Sequence, residues 1–336
     1  MTITNWPKQR VIVTGGAGFL GRHVLEGLRA RGVPDNQVFV PRKRDFDLTE
    51  QDDCHRLYRT AFGPDKASMV IHLAAEVGGI GANRENPGRY FYANMAMALH
   101  LIEQARLDGL VERGGTFVQT GTICAYPNLT PVPFKEENLW NGYPEITNAP
   151  YGVAKKAAWQ MLDAYKLQYG MKGVYVLPVN LYGPHDNFNL HSSHVIPALI
   201  RKCLEARDAA ADHIEVWGTG SASREFLYVE DAAEGILTAA EKMDGPDPIN
   251  LGTNMEITIR DLVHLIARLT EFADESTIEQ KIRWDTTKPD GQPRRCLDVS
   301  RAKERIGWQA KVGFEEGLKR TIAWFEQNRH EAATRV

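Results

Sequence analysis

A glycine-rich turn between a short apolar run and an amphipathic segment constrains the fold of this chain more than any other feature. In RVIVTGGAGFLGRHVLEGLRARG, Gly15, Gly18 and Gly21 recur at every third position directly after the apolar run. The run predicts a buried strand, and the apolar residues after the turn recur at helical spacing. Such a turn lets the backbone approach a pyrophosphate and points helix amides at its charge. A tight turn alone would explain the glycines, but their place at the first strand-to-helix junction favours a dinucleotide site.

Strand-like and helix-like segments keep alternating along the first half of the chain. Further strands are predicted at 38–40 and 68–76, and within 116–127 and 173–184. This alternation predicts an α/β fold, a Rossmann-type doubly wound parallel sheet with helices on both faces. After about residue 184 the pattern becomes irregular, which predicts a smaller α/β lobe over the carboxyl edge of the sheet.

The division between sheet and lobe is expected to be discontinuous. The segment FLYVEDAAEGILTAAEKM predicts a strand and a helix that return to the main domain. We therefore expect a cofactor-binding domain at 1–184 plus about 226–253, and a substrate-binding lobe at about 185–225 and 254–336.

Charge and cysteine content narrow the range of partners. A net charge of −3 gives no general attraction to nucleic acids or acidic membranes, no apolar run approaches the roughly 20 residues that span a bilayer, and the amino terminus lacks the apolar core of a secretory signal. We expect a cytoplasmic protein with no nucleic-acid or membrane partner. The four cysteines form no CxxC pair, so no disulfide framework and no metal site are predicted, and Cys124 is free to act as a thiol.

A basic cluster follows the second predicted strand. Arg42, Lys43 and Arg44 stand where an acidic residue would favour NAD and cations favour the 2′-phosphate of NADP. The cluster thus indicates NADP, although it could also be a solvated basic surface. Asp47 and Leu48 follow at a position suited to the adenine.

Tyr151 and Lys155 are four residues apart in a predicted helix, so both lie on one face. Reduction of a ketone by a nicotinamide needs a proton at the oxygen, and we expect the ammonium to lower the pKa of the phenol from its ordinary value near 10. Thr122, at a predicted strand end, adds a second donor to the same oxygen. Thr122 and Cys124, two apart on a strand, would face one side, with Tyr126 in phase as a pocket wall.

Seven motifs resemble the extended short-chain dehydrogenase/reductases, in the branch that acts on GDP-4-keto-6-deoxy-mannose. In chain order they are HLAAEVGGIGAN, GTICAYP, APYGVAKKAA, NLYGPHDNFN, SSHVIPALIRK, VWGTGSASREFLYVED and TTKPDGQPRRCLDVSRA. The resemblance covers nearly the whole chain. It implies a Rossmann domain with a nucleotide-sugar lobe, a homodimer, and an NADPH-dependent enzyme that epimerises C3 and C5 and reduces C4, giving GDP-L-fucose.

Residue by residue, the resemblance makes Thr122, Tyr151 and Lys155 the reductase triad, and Cys124 and His194 the pair that moves protons at C3 and C5. This agrees with chemistry, because inverting a carbon beside a ketone needs a base on one face and an acid on the other. The residues expected at the cofactor are Gly15, Gly18, Phe19, Leu20, Gly21, Arg42, Lys43, Arg44, Asp47, Leu48, Ala74, Ala75, Tyr151, Lys155, Pro178, Asn180 and Leu181. Those expected at the substrate are Asn180, Val195, Lys202, Trp217, Arg224 and Arg295, with the two arginines and Lys202 on the diphosphate and Trp217 either on the base or sugar or in the core.

Three residues depart from this branch. Ala17 stands where an arginine is usual, Ile123 where a serine is usual, and Glu76 where a basic residue is usual. Because these positions are expected near the cofactor or sugar, they leave open a C4 reductase or a C3/C5 epimerase that acts on a related GDP-4-keto-6-deoxy sugar, such as a heptose. A non-catalytic NADP-sensing protein is a further alternative, against which the intact Tyr151 and Lys155 argue.

Overall fold

The computed structural model describes residues 4–288 and 290–329, so the outermost ends of the two expected domains lie outside the described residues. The strands of the described chain, in order, are β1 (Val11–Thr14), β2 (Val38–Phe39), β3 (Met69–His72), β4 (Thr116–Thr120), β5 (Lys172–Pro178), β6 (Asn180–Tyr182), β7 (Ile214–Trp217), β8 (Ser223–Tyr228), β9 (Ile249–Leu251), β10 (Glu256–Thr258), β11 (Ile282–Asp285) and β12 (Arg294–Arg295). The α-helices are α1 (Phe19–Ala30), α2 (Gln51–Ala61), α3 (Ile80–Glu85), α4 (Pro87–Leu107), α5 (Ala149–Tyr169), α6 (Val195–Asp208), α7 (Val229–Lys242), α8 (Ile259–Leu269), α9 (Ile278–Lys281), α10 (Ser300–Ile306) and α11 (Phe314–Gln327).

A six-stranded parallel sheet forms the centre, in the order β2-β1-β3-β4-β5-β9. Its central strands β1, β3 and β4 are buried along their length because both faces of the sheet are covered. Helices α1 and α7 pack on one face, and α2, α4 and α5 pack on the other. The predicted doubly wound parallel sheet is thus confirmed, and its carboxyl edge is where ligands bind in such folds.

The lobe has two small sheets. Strand β8 pairs with β6, β10 and β12, and β7 pairs with β11. Helices α6, α8 and α11 cover them, with a core that includes Phe188, Ile200 and Phe325. Within the described ranges, no helix is both long and apolar enough to cross a membrane.

Two elements differ from the expected division. Strand β8 lies in the lobe sheet although it was expected to rejoin the main domain, and the return begins with α7 and is completed by β9 in the central sheet. Helix α10, expected in the lobe, packs against α7 and β9 because its buried Ala302 and Ile306 belong to the main core. The chain therefore crosses between the two parts at more places than the sequence pattern indicates.

A buried carboxylate links three of the segments at which the chain passes between the main domain and the lobe. Glu225 of β8 is fully buried, and its carboxylate accepts backbone N–H groups from Thr253, Asn254 and Leu297. Burial raises the pKa of Glu225, while these hydrogen bonds oppose the rise. One side chain thus fixes the lobe strand to the segment after β9 and to the segment after β12.

Candidate active site

The glycine turn has the close approaches that a dinucleotide site requires. Gly15 has φ +70°, and a Cβ there would lie 2.8 Å from the backbone nitrogen of Ala74. A Cβ at Gly21 would lie 2.2 Å from the carbonyl oxygen of Gly15. Gly18 caps α1 without a side-chain hydrogen bond, so the amides of the first turn, beginning with Phe19 and Leu20, have no competing side-chain acceptor from the cap. Only glycine fits at Gly15 and Gly21. The turn from Gly15 to Gly21, called the glycine cradle below, is suited to a pyrophosphate.

The predicted cofactor residues beyond this turn also lie at the carboxyl edge. Ala74 and Ala75 follow β3, Pro178 ends β5, and Leu181 lies in β6. The Asn180 amide donates to the carbonyl oxygen of Glu225 at 2.9 Å, so it links β6 to β8.

The basic cluster after β2 is exposed, and one of its charges already has a partner. Lys43 Nζ lies 2.7 Å from a Glu76 oxygen, while the other Glu76 oxygen lies 3.1 Å from an Arg89 nitrogen. Arg44 lies 3.5 Å from Asp45, and no ion pair is recorded for Arg42 among the described residues. The residue that departs from the family pattern therefore competes for one of the three cations expected at the 2′-phosphate.

Asp47 and Leu48 are held beside this cluster. The Asp47 carboxylate accepts from the Thr49 backbone N–H and hydroxyl, and these bonds lower its pKa. Leu48 is buried, so its side chain belongs to the core.

Tyr151 and Lys155 lie one turn apart near the start of α5, as predicted. Lys155 is 3% exposed, and burial lowers its pKa to about 8. Its Nζ lies 5.9 Å from the centre of the Tyr151 ring. The expected lowering of the Tyr151 pKa is wrong for this structure: burial raises it, Cys124 adds to the rise, and a hydrogen bond with the Thr122 side chain opposes it. The phenol therefore stays protonated, as a proton donor must be.

Thr122 and Cys124 are brought together by a turn and not by a strand. Strand β4 ends at Thr120, and a single 3₁₀ turn covers Ile123–Ala125. The Thr122 hydroxyl accepts the Cys124 backbone N–H at 3.2 Å, which fixes the two residues against each other. Ile123 points into the main core, so this departure does not line the pocket.

The expectation for Tyr126 is wrong. Because the strand has ended, its ring turns into the core, where it is 2% exposed and its hydroxyl donates to Asn250 Oδ1 at 2.7 Å. It is a core residue and not a wall of the pocket.

Two arginines lie side by side on the lobe side of this group. Arg224 and Arg295 are register partners in β8 and β12, so their side chains share a face. Arg295 is 7% exposed, and its Nη1 donates to Cys124 Sγ at 3.6 Å. The recorded bonds of Arg224 go to the carbonyl oxygens of Ser223, Asp290 and Gln292. Burial, and then the charge of Arg295, lower the Arg224 pKa to about 10.

A carboxylate that the sequence patterns missed completes this network. Glu145 Oε2 lies 3.9 Å from Arg295 Nη2 and accepts the Asn148 amide at 2.7 Å. The Asn148 oxygen in turn accepts the Asn83 amide at 3.0 Å. Burial raises the pKa of Glu145, but hydrogen bonds from Thr147 and Asn148 and the charge of Arg295 together leave it lowered. The only local signal was an acidic residue shortly before the helix that carries Tyr151.

The remaining predicted residues lie along α6 and β7. His194 caps α6 and is exposed, yet it loses enough hydration to have a lowered pKa. Val195, at the first position of α6, is half-buried beside it. Among the described residues, the recorded contacts unite Thr122, Cys124 and Tyr151 but do not join His194 to them.

Lys202 and Trp217 have distinct environments. Lys202 Nζ donates to the Glu215 carbonyl oxygen at 2.8 Å. Trp217 is 52% exposed, Lys288 Nζ lies 5.1 Å from its ring centre, and a Cβ at Gly81 would lie 3.9 Å from the ring. Trp217 is therefore a surface residue beside the VGGIGAN segment, and the core alternative is wrong.

Known proteins agree with this architecture. The family model described as "NAD dependent epimerase/dehydratase family" matches residues 11–252. The chain is 37% identical to "Probable GDP-L-fucose synthase 1" of Oryza sativa subsp. japonica, over 95% of this chain and 92% of that protein. It is 35% identical to "GDP-L-fucose synthase" of Escherichia coli (strain K12), over 96% and 98%. A solved GDP-L-fucose synthetase from Naegleria fowleri has a TM-score of 0.85 at 26% identity, covering 99% of this chain and 98% of its own. Its NADP-bound form has a TM-score of 0.83 at the same identity and coverage.

The chain belongs to the NAD dependent epimerase/dehydratase family. Within that family the relatives described above are GDP-L-fucose synthases, so the resemblance drawn from the seven motifs is confirmed.

Proposed function

We propose that this chain is an NADPH-dependent enzyme that epimerises C3 and C5 of GDP-4-keto-6-deoxy-D-mannose and reduces C4, giving GDP-L-fucose. The observation that carries the proposal is that the Thr122 hydroxyl bonds to the Cys124 backbone N–H and to the Tyr151 phenol, while the Cys124 side chain is close enough to raise the Tyr151 pKa. It puts a thiol, which can act on the carbons beside a ketone, next to two hydroxyls that can bind the ketone oxygen. Relatives named GDP-L-fucose synthases, at 34–37% identity over 95% of the chain or more, support the choice of substrate.

The epimerisation is a pair of proton transfers at each carbon. Cys124, as thiolate, takes the proton from the carbon, the C–H electron pair moves to form the enolate, and the charge rests on the C4 oxygen. Thr122 and Tyr151 stabilise that oxygen by hydrogen bonds. His194 then gives a proton to the opposite face, and exchange with solvent restores both groups for the second carbon.

The reduction uses the same oxygen. When bound, NADPH supplies the hydride. Tyr151 gives its proton to the C4 oxygen, and the raised pKa of its phenol keeps that proton available. Lys155, buried one turn away, would hold the hydroxyls of the nicotinamide ribose, and its ammonium would stabilise the phenolate that forms when Tyr151 loses its proton.

The cofactor would rest on the glycine cradle, with its 2′-phosphate near Arg42, Lys43 and Arg44. The backbone packs so closely at Gly15 and Gly21 that a side chain would collide with it, and the tight turn that results supports this fit. The three cations are exposed after β2, which supports NADP over NAD even though Lys43 is paired with Glu76 and Arg44 lies near Asp45. On the lobe side, Arg224 bonds to neutral carbonyls, so its charge is available to the GDP diphosphate.

We further propose that the chain works as a homodimer in the cytoplasm. Helices α4 and α5 pack together, and α4 exposes Tyr92 at 59% and Leu99 at 43%, seven residues apart and so on one face. An exposed apolar helix face of this kind suits a second copy of the chain. The four free thiols of the chain would remain reduced in the cytoplasm. Light scattering of the purified chain tests the dimer.

The decisive test is Cys124→Ser in D2O with GDP-4-keto-6-deoxy-mannose and NADPH, followed by product NMR. The variant should lose deuterium incorporation at C3 and C5 by at least about 100-fold, because the base is gone. Cys54→Ser, which changes a buried thiol of α2, is the matched control and should incorporate normally. Full incorporation by Cys124→Ser would overturn the role of the thiol, and reduction without any incorporation in the unaltered enzyme would favour a C4 reductase of a related GDP sugar.

A further inference from the structure

Arg295 was expected at the diphosphate, but its side chain is engaged elsewhere. Three of its nitrogens have partners within the chain: Nε donates to Gln292 Oε1 at 2.9 Å, Nη1 to Cys124 Sγ at 3.6 Å, and Nη2 faces Glu145 at 3.9 Å. Its exposed fraction is 7%. The neighbouring Arg224, by contrast, bonds to neutral carbonyls and remains the cation that a diphosphate can use.

We infer that Arg295 is a positioning residue for Cys124, which holds the sulfur in place and stabilises its negative charge. The inference rests on the proposed function only in taking Cys124 as the base; the contact itself is independent of any substrate. The geometry gives the guanidinium two anchors, Gln292 and Glu145, and aims its remaining edge at the sulfur. A guanidinium is suited to this because its planar donors hold a fixed direction when two of them are anchored.

The contact between Arg295 and Cys124 lies in a part of the chain that is largely shielded from water. Cys124 is the one cysteine that is partly accessible, since Cys54, Cys203 and Cys296 are buried. Little water reaches the guanidinium, so its charge is weakly screened at the sulfur. Glu145 is itself fixed by Asn148, at the start of the helix that carries Tyr151. The chain of contacts from Cys124 to Arg295, Glu145 and Asn148 thus links the sulfur to the start of the helix that carries Tyr151.

The effect of Arg295 on Cys124 can be measured in the free enzyme by alkylation of the thiol. The thiolate is the nucleophile toward iodoacetamide, so alkylation of Cys124 reports how readily the sulfur becomes an anion. We expect Arg295→Gln to slow alkylation of Cys124 at pH 7 by about tenfold, measured by mass spectrometry of the Cys124 peptide. Arg294→Gln is the matched control, because Arg294 is the adjacent residue but is exposed and pairs with Glu256.

Arg295→Lys keeps the charge without the fork of donors and should react at an intermediate rate, so the inference remains testable if Arg295→Gln folds poorly. Alkylation at the unaltered rate in both Arg295 variants, with a raised KM for the GDP sugar, would overturn the inference and return Arg295 to the diphosphate. Because no substrate is used in the alkylation, this outcome leaves the proposed function standing. The proposed function falls separately, if Cys124→Ser still incorporates deuterium.

Discussion

Two lysines of the proposed cofactor site, Lys155 and Lys43, show how burial decides what a charge does. Lys155 lies beneath Tyr151 with 3% exposure, and loss of water lowers its pKa to about 8. The Lys43 side chain is 71% exposed and forms an ion pair with Glu76 at 2.7 Å. The buried lysine has lost its hydration without gaining a carboxylate in the described contacts, whereas the exposed lysine has kept its hydration and gained one.

The difference in burial suggests different roles: a buried charge such as that of Lys155 affects the reaction itself, and an exposed charge such as that of Lys43 affects cofactor affinity. Around Lys155 and Tyr151, gain or loss of one proton has a large effect on the reaction, because little water is present to screen the interaction between charges. Around Lys43, charges are screened by water and salt, so each residue adjusts affinity in small steps. Variants around the two lysines should therefore differ in size of effect by orders of magnitude.

The largest effect is expected for Tyr151→Phe. Loss of the phenolic proton donor should lower kcat for C4 reduction by roughly 10³-fold, within the range of general acid catalysis, while deuterium incorporation at C3 and C5 persists at a reduced rate because Thr122 still binds the oxygen. NADPH oxidation at 340 nm and product NMR measure the two reactions. Tyr143→Phe, which alters an exposed tyrosine of the nearby loop, should leave both unchanged. Normal reduction by Tyr151→Phe would remove the tyrosine from the mechanism.

An intermediate effect is expected for the stability of Lys155→Met. In the folded chain the Lys155 pKa is about 8, below its ordinary value of 10.5, so protonation favours the unfolded state. The cost of the buried charge is complete below pH 8 and disappears as pH rises from about 8 to 10.5. Lys155→Met should thus raise the free energy of unfolding by up to roughly 3 kcal/mol at pH 7 and by little at pH 10.5, while reduction is lost.

Urea unfolding at the two pH values measures this change. Lys166→Met, which removes an exposed lysine from the same helix, is the control and should show no such pH dependence. A gain that is equal at both pH values would mean that packing of the methionine, and not the buried charge, is the cause.

The smallest effect is expected for Glu76→Gln. Removal of the carboxylate frees Lys43 for the 2′-phosphate, so the ratio of kcat/KM for NADPH over NADH should rise about two- to fivefold, the size of an exposed ion pair. The gain should shrink as salt is added. Addition of Lys43→Ala in the same chain should cancel it, and a gain that survives Lys43→Ala would show that Glu76 acts on the cofactor by another route.

Short-range spacing predicted well the parts of the site that lie on one element. The glycine turn, the Tyr151–Lys155 pair on one helix and the central sheet follow from patterns a few residues long. Motifs identified Cys124 and Arg295 separately, but their contact joins positions 171 residues apart, which no local period records. Tyr126 was misplaced because β4 ends at Thr120, where the strand period no longer applies. The pKa of Tyr151 was misjudged because burial, which spacing does not encode, raises it more than the hydrogen bond with Thr122 lowers it.

The carboxylate of Glu225 has a mechanical consequence. Because one buried side chain holds backbone from β8, from the link after β9 and from the segment after β12, the lobe is not suspended on a flexible tether. A movement of β8 would therefore act directly on the backbone that follows β9, the last strand of the central sheet. A single carboxylate thus couples the position of the lobe strand to the edge of the central sheet.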